Sequence, residues 1–229
     1  MFKESFKPEI RRRSCAQRNF FILIQRVLSK MPESRNFDKS GLPPGQSAIR
    51  QIPRWGVDHP TIGGPVPKID IDKWILSVDG EVEKPLKIAW KDLLSMPKTQ
   101  ASGDFHCVEG WSVLDLIWEG VSFKEIAESA APKETARFVS FECADGYLTS
   151  LPLPDLLEKE ALLAYRLNGE FLKESTGAPL RLVVQDLYAY KSAMWLTRIN
   201  FTRLEILGFW ESRGYSNTAG VWKNDRFST

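Results

Sequence analysis

The sequence predicts an α+β fold for one large domain. Segments that alternate apolar and polar residues, or that are rich in β-branched and aromatic residues, outnumber segments with helical spacing of apolar residues. Strands and helices also follow one another in mixed order, whereas a doubly wound parallel sheet requires them to alternate along the chain. The 229 residues, of which 43% are hydrophobic, are enough to bury a sizeable core.

The first 41 residues are predicted to form a basic arm that precedes a domain of residues 42–229. Met1–Lys39 contains ten Lys or Arg and four Asp or Glu, a net charge of +6 against +2 for the whole chain. Its apolar run, Phe20–Ile24, is shorter than the roughly 7–15 residues of a signal sequence or the about 20 of a membrane span, so no integral membrane segment is predicted. We expect a short amphipathic helix that docks on the domain or frays; attachment to a membrane surface through its basic face is the alternative.

Ser40–Pro67 is predicted to be a long irregular loop. It contains six prolines and five glycines, which prevent long regular elements. A loop of this length in a compact chain is typical of a functional or a disordered segment. Trp55 and Ile62 favour an ordered loop that covers another part of the protein.

Beyond this loop the pattern becomes regular. A strand is predicted at Trp74–Gly80, which ends in an Asp-Gly turn, and a helix at Trp90–Met96, which Pro97 stops. A second helix, Phe123–Ala131, has amphipathic spacing and is closed by Pro132. The other predicted segments are a strand end at Phe105–Val108, a short apolar connection at Ser112–Trp118, a hairpin of Arg137–Glu142 and Tyr147–Leu151 turned by Asp145-Gly146, and strands at Leu180–Val184 and Trp195–Phe201.

Composition excludes several classes of function. A net charge of +2 lacks the strong basic bias of nucleic-acid-binding proteins. The three cysteines form no CxxC pair, so neither a disulfide framework nor a cysteine-rich zinc site is indicated, and a reducing compartment, the cytoplasm, fits best. With only His59 and His106 in the chain, a three-histidine metal site is excluded and a Ser-His-Asp triad has two candidate bases.

Cys107 stands between a predicted strand end and a glycine-containing turn, in the segment FHCVEGWS (Phe105–Ser112). Taken alone, a cysteine here is typical of a small buried hydrophobe. The alternative is a soft thiolate ligand for a metal, since the end of a strand holds a ligand rigidly.

This segment closely resembles the cysteine motif of the sulfite-oxidase family of molybdenum enzymes. Further segments resemble motifs of that family in the family's order: Val66–Gly80, Gly177–Val184, Lys191–Trp195 and Phe209–Tyr215. The resemblance extends from about Leu42 to the C-terminus. Several ordered motifs are far more specific than one cysteine, so the chain is identified as a single-domain member of this family.

The resemblance implies a mixed α+β fold, with several short sheets and peripheral helices, around molybdenum carried by the pterin dithiolene molybdopterin. In the family, the cysteine at the position of Cys107 is the protein's only metal ligand, so Cys107 is the expected catalytic and metal-binding residue. Three sulfur donors suit a redox metal, and open oxygen positions permit atom transfer. The expected function is two-electron oxygen-atom transfer on a small substrate, with an unidentified electron-transfer partner. The alternatives are a protein that binds or carries the cofactor without turnover and a cofactor-free structural relative.

The resemblance also implies a set of cofactor-binding residues. Arg181 and Lys191 occupy positions that resemble family residues for the cofactor's phosphate and pterin, where Arg supplies a two-pronged donor and Lys a point charge. Without the resemblance, Arg181 would be a surface strand residue with a solvated head. The other expected cofactor contacts are His59, Cys107, Cys143, Thr176, Ser192 and Ala193. The alternatives are a position in the core for Cys143, an ordinary turn residue for Thr176 and an exposed loop residue for His59.

Two departures from the family pattern bear on the substrate. Met194 stands where relatives usually carry Lys, and Glu109-Gly110-Trp111 stands where typical sulfite oxidases place arginines. The second departure looks more like the branch that reduces methionine sulfoxide. A dianionic sulfite would meet less positive charge here, so sulfite is expected to be a poor substrate. The candidates for an aromatic wall of the pocket are Trp111, Trp118, Tyr188 and Tyr190.

Overall fold

Two β-sheets organise residues 41–59 and 65–228, which are the residues that the computed structural model describes. The predicted arm, residues 1–41, lies outside the described residues except for Gly41, and so does Ile62 of the predicted loop. Within the described ranges, no helix is long and apolar enough to cross a membrane.

The strands and helices are numbered in chain order. The strands are β1 (Ser47–Ala48), β2 (Ile75–Gly80), β3 (Leu86–Ala89), β4 (Lys98–His106), β5 (Trp111–Ser122), β6 (Phe138–Cys143), β7 (Leu148–Pro152), β8 (Leu162–Leu167), β9 (Glu170–Phe171), β10 (Arg181–Val183) and β11 (Leu196–Thr202). The α-helices are α1 (Trp90–Ser95), α2 (Phe123–Ala130) and α3 (Leu153–Glu158), and short 3-10 helices occupy Glu174–Thr176, Ala189–Lys191 and Glu211–Arg213. The mixed sheets and few helices confirm the α+β prediction.

The long strand β5 is central to the first sheet. It pairs antiparallel with β4 and β8 and parallel with β1, while β9 and β10 extend the sheet from β8. The prediction of a connection at Ser112–Trp118 was therefore wrong, because this segment belongs to β5. Asp115 adopts a φ of 54°, which makes β5 irregular at this point. The residues around it therefore do not show the alternation of apolar and polar types that marks a regular strand.

The second sheet has the order β3-β2-β11-β6-β7, with β2 and β11 parallel and the other neighbours antiparallel. Its β6–β7 pair confirms the predicted hairpin. The turn is held by the Gly146 N–H, which donates to the Cys143 carbonyl at 3.1 Å, and by the Asp145 carboxylate, which accepts from the Tyr147 N–H at 3.0 Å. This turn brings Asp145 and Tyr147 to the candidate site.

Helix α2 confirms the second predicted helix. The Ser122 hydroxyl caps its start by accepting from the Lys124 N–H at 3.2 Å, and a left-handed residue, Ala131, ends it just before Pro132. Its apolar face is buried against the second sheet, where the ring of Phe123 lies 6.0 Å from those of Phe141 and Phe201. Full burial of each such side chain contributes about 1.5–3 kcal/mol.

A smaller apolar cluster lies along the first sheet, below the candidate site. It includes Phe105 of β4 and Trp118 of β5, whose ring centroids are 5.6 Å apart. Phe105 lies one residue before the end of β4, so this cluster supports the strand end that leads into the loop between β4 and β5.

Candidate active site

A cavity with an empty volume of about 840 Å³, including the part open to solvent, lies beside the loop between β4 and β5. The lining comes from segments that are distant in sequence: Ile52, Trp55, His59, Phe105, Cys107, Val108, Glu109, Trp111, Asp145, Tyr147, Arg181, Ala189, Tyr190, Ser192, Ala193, Met194, Trp195, Trp210 and Tyr215.

Cys107 is held by a tight turn between the two longest strands of the first sheet. Its N–H donates to the Trp111 carbonyl at 2.8 Å, and its carbonyl accepts from the Gly110 N–H at 3.0 Å. Gly110 has a φ of 100°, a left-handed conformation that glycine adopts without strain. The turn therefore places the Cys107 side chain at the cavity in a fixed direction.

The sulfur of Cys107 meets a carboxylate rather than a cation. Sγ lies 3.7 Å from Oε2 of Glu109, whose two oxygens also accept from Nε1 of Trp111 at 3.1 Å and pair with Nε2 of His59 at 2.9 Å. Burial, aided by the Glu109 charge, raises the pKa of the Cys107 thiol to about 12. Burial alone would raise the pKa of Glu109, but the hydrogen bonds from His59 and Trp111 hold it below its usual value. A metal cation at Sγ would reverse the balance for the thiol and favour the thiolate.

Arg181 is a fully buried cation in the cavity lining, with 2% of its surface exposed. Its two terminal nitrogens donate to the carbonyls of Thr176 at 3.0 Å and Ser192 at 3.1 Å. Its Nε is buried and has no hydrogen-bond partner among the described residues. Burial lowers the pKa of the guanidinium to about 10, so it remains charged at neutral pH. A buried donor without a partner is costly, and an anionic or carbonyl-bearing ligand would satisfy it.

Lys191 is buried behind the cavity rather than in its lining. Its ammonium pairs with the Glu211 carboxylate and donates to the Ser150 carbonyl at 3.0 Å, and Glu211 also accepts from the Thr149 hydroxyl at 2.6 Å. Burial lowers the pKa of Lys191, while the Glu211 charge opposes that shift. The positive charge of Lys191, which was predicted to contact the cofactor, is therefore neutralised by Glu211.

Of the eight residues predicted to bind the cofactor, the cavity brings together His59, Cys107, Arg181, Ser192 and Ala193. Lys191, Thr176 and Cys143 are not in the lining. Thr176 contributes its backbone carbonyl to Arg181 and bonds its hydroxyl to Lys173, and Cys143 is buried in the core of the second sheet. Their roles toward the cofactor stay predictions.

Several lining residues were missed by sequence reasoning. Asp145 and Tyr147 were assigned only to a hairpin, although the polar turn after a buried strand was a signal for a site. Trp210 and Tyr215 belong to a recognised motif, which was the signal available for them. Trp55 is part of the predicted covering loop, and its ring contacts that of His59 at 4.2 Å between centroids. Among the four aromatic candidates, Trp111 and Tyr190 line the cavity, whereas Trp118 and Tyr188 do not.

Met194 and its neighbours form one side of the cavity. Gly177, with a φ of 108°, packs directly against them, because a Cβ there would lie 2.8 Å from the Met194 Cβ and 3.2 Å from the Arg181 Cβ. Trp195 has a φ of 62°, unusual for a large side chain, and its Nε1 donates to the Glu174 carbonyl at 2.7 Å. The segment around Gly177 thus fixes Arg181, Met194 and Trp195 together.

Residues 63–210 match the family model described as the oxidoreductase molybdopterin binding domain. The chain belongs to this family. It is 42% identical over 198 residues to "Uncharacterized oxidoreductase YuiH" of Bacillus subtilis (strain 168), a match that covers 86% of this chain and 97% of that protein.

Two other relatives of the family have more specific names. The chain is 31% identical over 156 residues to the protein-methionine-sulfoxide reductase catalytic subunit MsrP of Campylobacter jejuni, covering 61% of this chain and 52% of that protein. It is 29% identical over 188 residues to sulfite oxidase of Arabidopsis thaliana, covering 66% of this chain and 48% of that protein. The chain thus spans about half the length of these two relatives.

A solved structure shares the fold of this family member. The sulfane dehydrogenase SoxCD of Paracoccus pantotrophus superposes with a TM-score of 0.59 at 20% identity, covering 78% of this chain and 57% of that chain. The sulfite-oxidase-type fold and the family assignment are confirmed. The chain is therefore a molybdopterin-dependent oxidoreductase whose cofactor is molybdenum-carrying molybdopterin.

The cavity fits that cofactor. Within the described ranges, no group of three or more His, Cys, Asp or Glu side chains is placed to hold a metal ion. Cys107 offers one thiol to a metal whose other ligands come with the pterin, and the unsatisfied Nε of Arg181 offers a charged donor to the cofactor's polar groups.

Proposed function

We propose that this enzyme transfers an oxygen atom between its cofactor and a small, neutral sulfur oxide, and that sulfite is a poor substrate. The observation that supports this most directly is the Glu109 carboxylate, which lies 3.7 Å from the Cys107 sulfur. When bound, the cofactor supplies a two-electron redox couple and an open coordination position for atom transfer.

Three groups of residues have distinct roles in this proposal. Cys107 is the protein's thiolate ligand to the metal. Arg181, Ser192 and Ala193 hold the polar part of the cofactor. The reason is that Arg181 is a cation of the lining whose Nε has no hydrogen-bond partner among the described residues. The aromatic residues of the lining then accept the apolar substituents of a sulfur oxide; these are Trp55, Trp111, Tyr147, Tyr190, Trp210 and Tyr215.

Glu109 makes the site selective for charge. Its orientation is fixed by His59 and Trp111, so its negative charge stays beside the Cys107 sulfur. Two like unit charges 4 Å apart repel by about 1 kcal/mol in water and about 4 kcal/mol near a protein surface. Since half of the Glu109 side chain is exposed, the repulsion lies toward the lower value for each charge of sulfite. A neutral sulfur oxide meets no such repulsion.

The test compares two reactions on one preparation of holoprotein. We expect kcat/KM for the reduction of neutral sulfoxides with an artificial electron donor to exceed kcat/KM for sulfite oxidation with an artificial acceptor. Glu109→Gln should lower the KM for sulfite, whereas Glu119→Gln, a carboxylate paired with Lys98 away from the cavity, should not. Saturable sulfite oxidation without sulfoxide reduction would overturn the proposal.

The role of Cys107 has its own measurement. Cys107→Ser should abolish turnover and remove the absorption that arises from charge transfer between the thiolate and the metal. A variant that retains molybdenum, activity and the wild-type spectrum would show that Cys107 is not the ligand.

We also propose that the enzyme works in a reducing compartment, the cytoplasm. The support is that Cys143 is a free thiol and that the chain has no CxxC pair. Cell fractionation with antibody detection tests this, and recovery from an oxidising compartment would contradict it.

A further inference from the structure

The cavity lining includes two carboxylic side chains with different partners, Glu109 and Asp145. Glu109 has a side-chain partner on each oxygen, Nε2 of His59 on one and Nε1 of Trp111 on the other. Asp145 has a single backbone donor, the Tyr147 N–H, which lies 3.0 Å from Oδ1. No cation among the described residues pairs with Asp145. Its carboxyl group is therefore not committed to a side-chain partner.

The position of Asp145 is fixed by the turn of the β6–β7 hairpin. The Cys143 N–H donates to the Tyr147 carbonyl at 3.0 Å, and the Gly146 N–H donates to the Cys143 carbonyl at 3.1 Å. Gly146 has a φ of 82°, a left-handed conformation that glycine adopts without strain. Asp145 is half-buried at the tip of this closed turn. It therefore lines the cavity from a rigid support and still has access to solvent.

Burial raises the pKa of Asp145 above its usual value, and the hydrogen bond from the Tyr147 N–H opposes this shift. The titratable groups that face Asp145 are the Cys143 thiol and the Tyr147 phenol, and neither supplies a positive charge. The other groups of the lining that can be charged near neutral pH do not contribute to the shift; these are His59, Glu109 and Arg181. The neutral, protonated carboxyl group thus persists to a higher pH than in an exposed aspartic acid.

Two phenols of the lining are poor sources of a proton. The Tyr147 hydroxyl donates to the Tyr190 carbonyl at 2.5 Å, and the Tyr190 hydroxyl donates to the Ser216 carbonyl at 2.7 Å. Burial raises the pKa of both phenols. Loss of either proton would leave a buried phenolate facing a carbonyl oxygen, which is costly.

Reduction of a sulfoxide consumes protons inside this cavity. The S–O bond breaks, the sulfur gains two electrons from the external electron donor, and the oxygen leaves with two protons as water. We propose that the Asp145 carboxyl group is a general acid that supplies one of these protons to the oxygen that leaves the sulfur. Solvent supplies the second proton and then reprotonates Asp145 through the cavity opening. This inference rests on the proposed function, the reduction of a neutral sulfur oxide.

The first test is the pH dependence of a single turnover. Holoprotein is reduced with an artificial donor and mixed with saturating methyl phenyl sulfoxide, and the rate is normalised to bound molybdenum. A general acid acts in its protonated form, so the rate should fall as the pH rises through the pKa of Asp145. Asp145→Asn keeps an acceptor for the Tyr147 N–H but has no acidic proton. It should lower the rate about 10²- to 10⁴-fold and remove this pH dependence, with little change in KM. Asp145→Glu should restore part of the rate.

The second test does not depend on turnover. Infrared difference spectra of the oxidised holoprotein, recorded against pH, follow the C=O stretch of protonated carboxyl groups. The difference between wild type and Asp145→Asn isolates the signal of Asp145. The pKa from this signal should lie above the usual value for aspartic acid and should match the pKa from the rate profile of the wild type.

Asp155→Asn is the matched control. Asp155 is also half-buried, and burial also raises its pKa, but it lies at the start of α3 and outside the cavity lining. Its substitution should leave the rate and its pH dependence unchanged. An equal loss of rate in Asp155→Asn would show that the effect of Asp145→Asn comes from removing any half-buried carboxyl group.

The outcomes separate this inference from the proposed function. If wild type reduces the sulfoxide and Asp145→Asn keeps its rate and pH profile, Asp145 is not the acid. The same holds if the infrared and kinetic pKa values differ, or if Tyr215→Phe rather than Asp145→Asn removes the pH dependence. If molybdenum-loaded wild type does not reduce the sulfoxide, the proposed function fails and this inference fails with it. Should Asp145→Asn not load molybdenum, Asp145→Glu decides, because its kinetic pKa must move together with its infrared pKa.

Discussion

Arg181 and Lys191 are two buried cations with opposite surroundings. Arg181 lines the cavity, bonds only backbone carbonyls through its terminal nitrogens, and has no partner for Nε among the described residues. Lys191 lies behind the cavity and forms an ion pair with Glu211. A buried charge costs free energy unless it is paired, so the charge of Lys191 is balanced without a ligand and the charge of Arg181 is not, although Oε2 of Glu211 also lacks a hydrogen-bond partner among the described residues. Burial of a cation therefore does not mark a cofactor site; the missing counter-charge does.

The largest effect should follow from breaking the buried ion pair between Lys191 and Glu211. Glu211→Gln leaves the Lys191 ammonium buried without a counter-charge, which should lower the free energy of unfolding by about 3–5 kcal/mol. Denaturation of the cofactor-free protein in urea measures it. The double variant Lys191→Met/Glu211→Leu should recover most of the loss, because it removes both charges. Loss of cofactor without loss of stability would instead place Lys191 in the binding site.

Arg181→Met should weaken binding of the cofactor without lowering the stability of the cofactor-free protein. Loss of a charge-assisted hydrogen bond costs about 1.5–3 kcal/mol, or roughly 10- to 150-fold in affinity for the cofactor. The Tm of the cofactor-free protein should not fall, since the variant removes an incompletely satisfied charge. Molybdenum and pterin content after dialysis and calorimetry of the cofactor-free form give the two readings. Arg198→Met, at an arginine paired with Asp79 and Glu142, is the control that should retain the cofactor.

Cys143→Ser tests a third residue that lies outside the cavity lining. A hydroxyl in place of a buried thiol should cost about 1–3 kcal/mol of stability while leaving cofactor content unchanged. Thermal denaturation and elemental analysis measure both. A variant of normal stability with reduced molybdenum would restore Cys143 to the cofactor site.

The smallest effect is expected from the basic arm. Deletion of Met1–Lys39 should leave cofactor content and turnover within error of the full chain, because the arm lies outside the family resemblance. Loss of pterin from this deletion variant would show that the arm contributes to the site.

Sequence reasoning was most successful where one segment carries the signal. The motif around Cys107 was identified from its resemblance to the family, and the strand predicted at Leu180–Val184, observed at Arg181–Val183, from its local residue types. The pair between Lys191 and Glu211 was not, because it joins residues 20 apart through the packing of two 3-10 helices. Tyr147 and Trp55 reach the cavity from a hairpin and from a long loop, and their convergence depends on the tertiary fold. The segment Ser112–Trp118 was predicted to be a connection rather than part of β5, since its apolar and polar residues do not alternate around Asp115, which has a positive φ.

Gly177 shows how the width of the cavity is set from outside it. Gly177 does not line the cavity, but it packs against the Cβ atoms of Arg181 and Met194, and both of these residues line it. A methyl group there would displace the Arg181 and Met194 side chains, in addition to straining the left-handed backbone. The volume available to the pterin therefore depends on the lack of a side chain at Gly177. A substitution at this position can change that volume without changing any residue that lines the cavity.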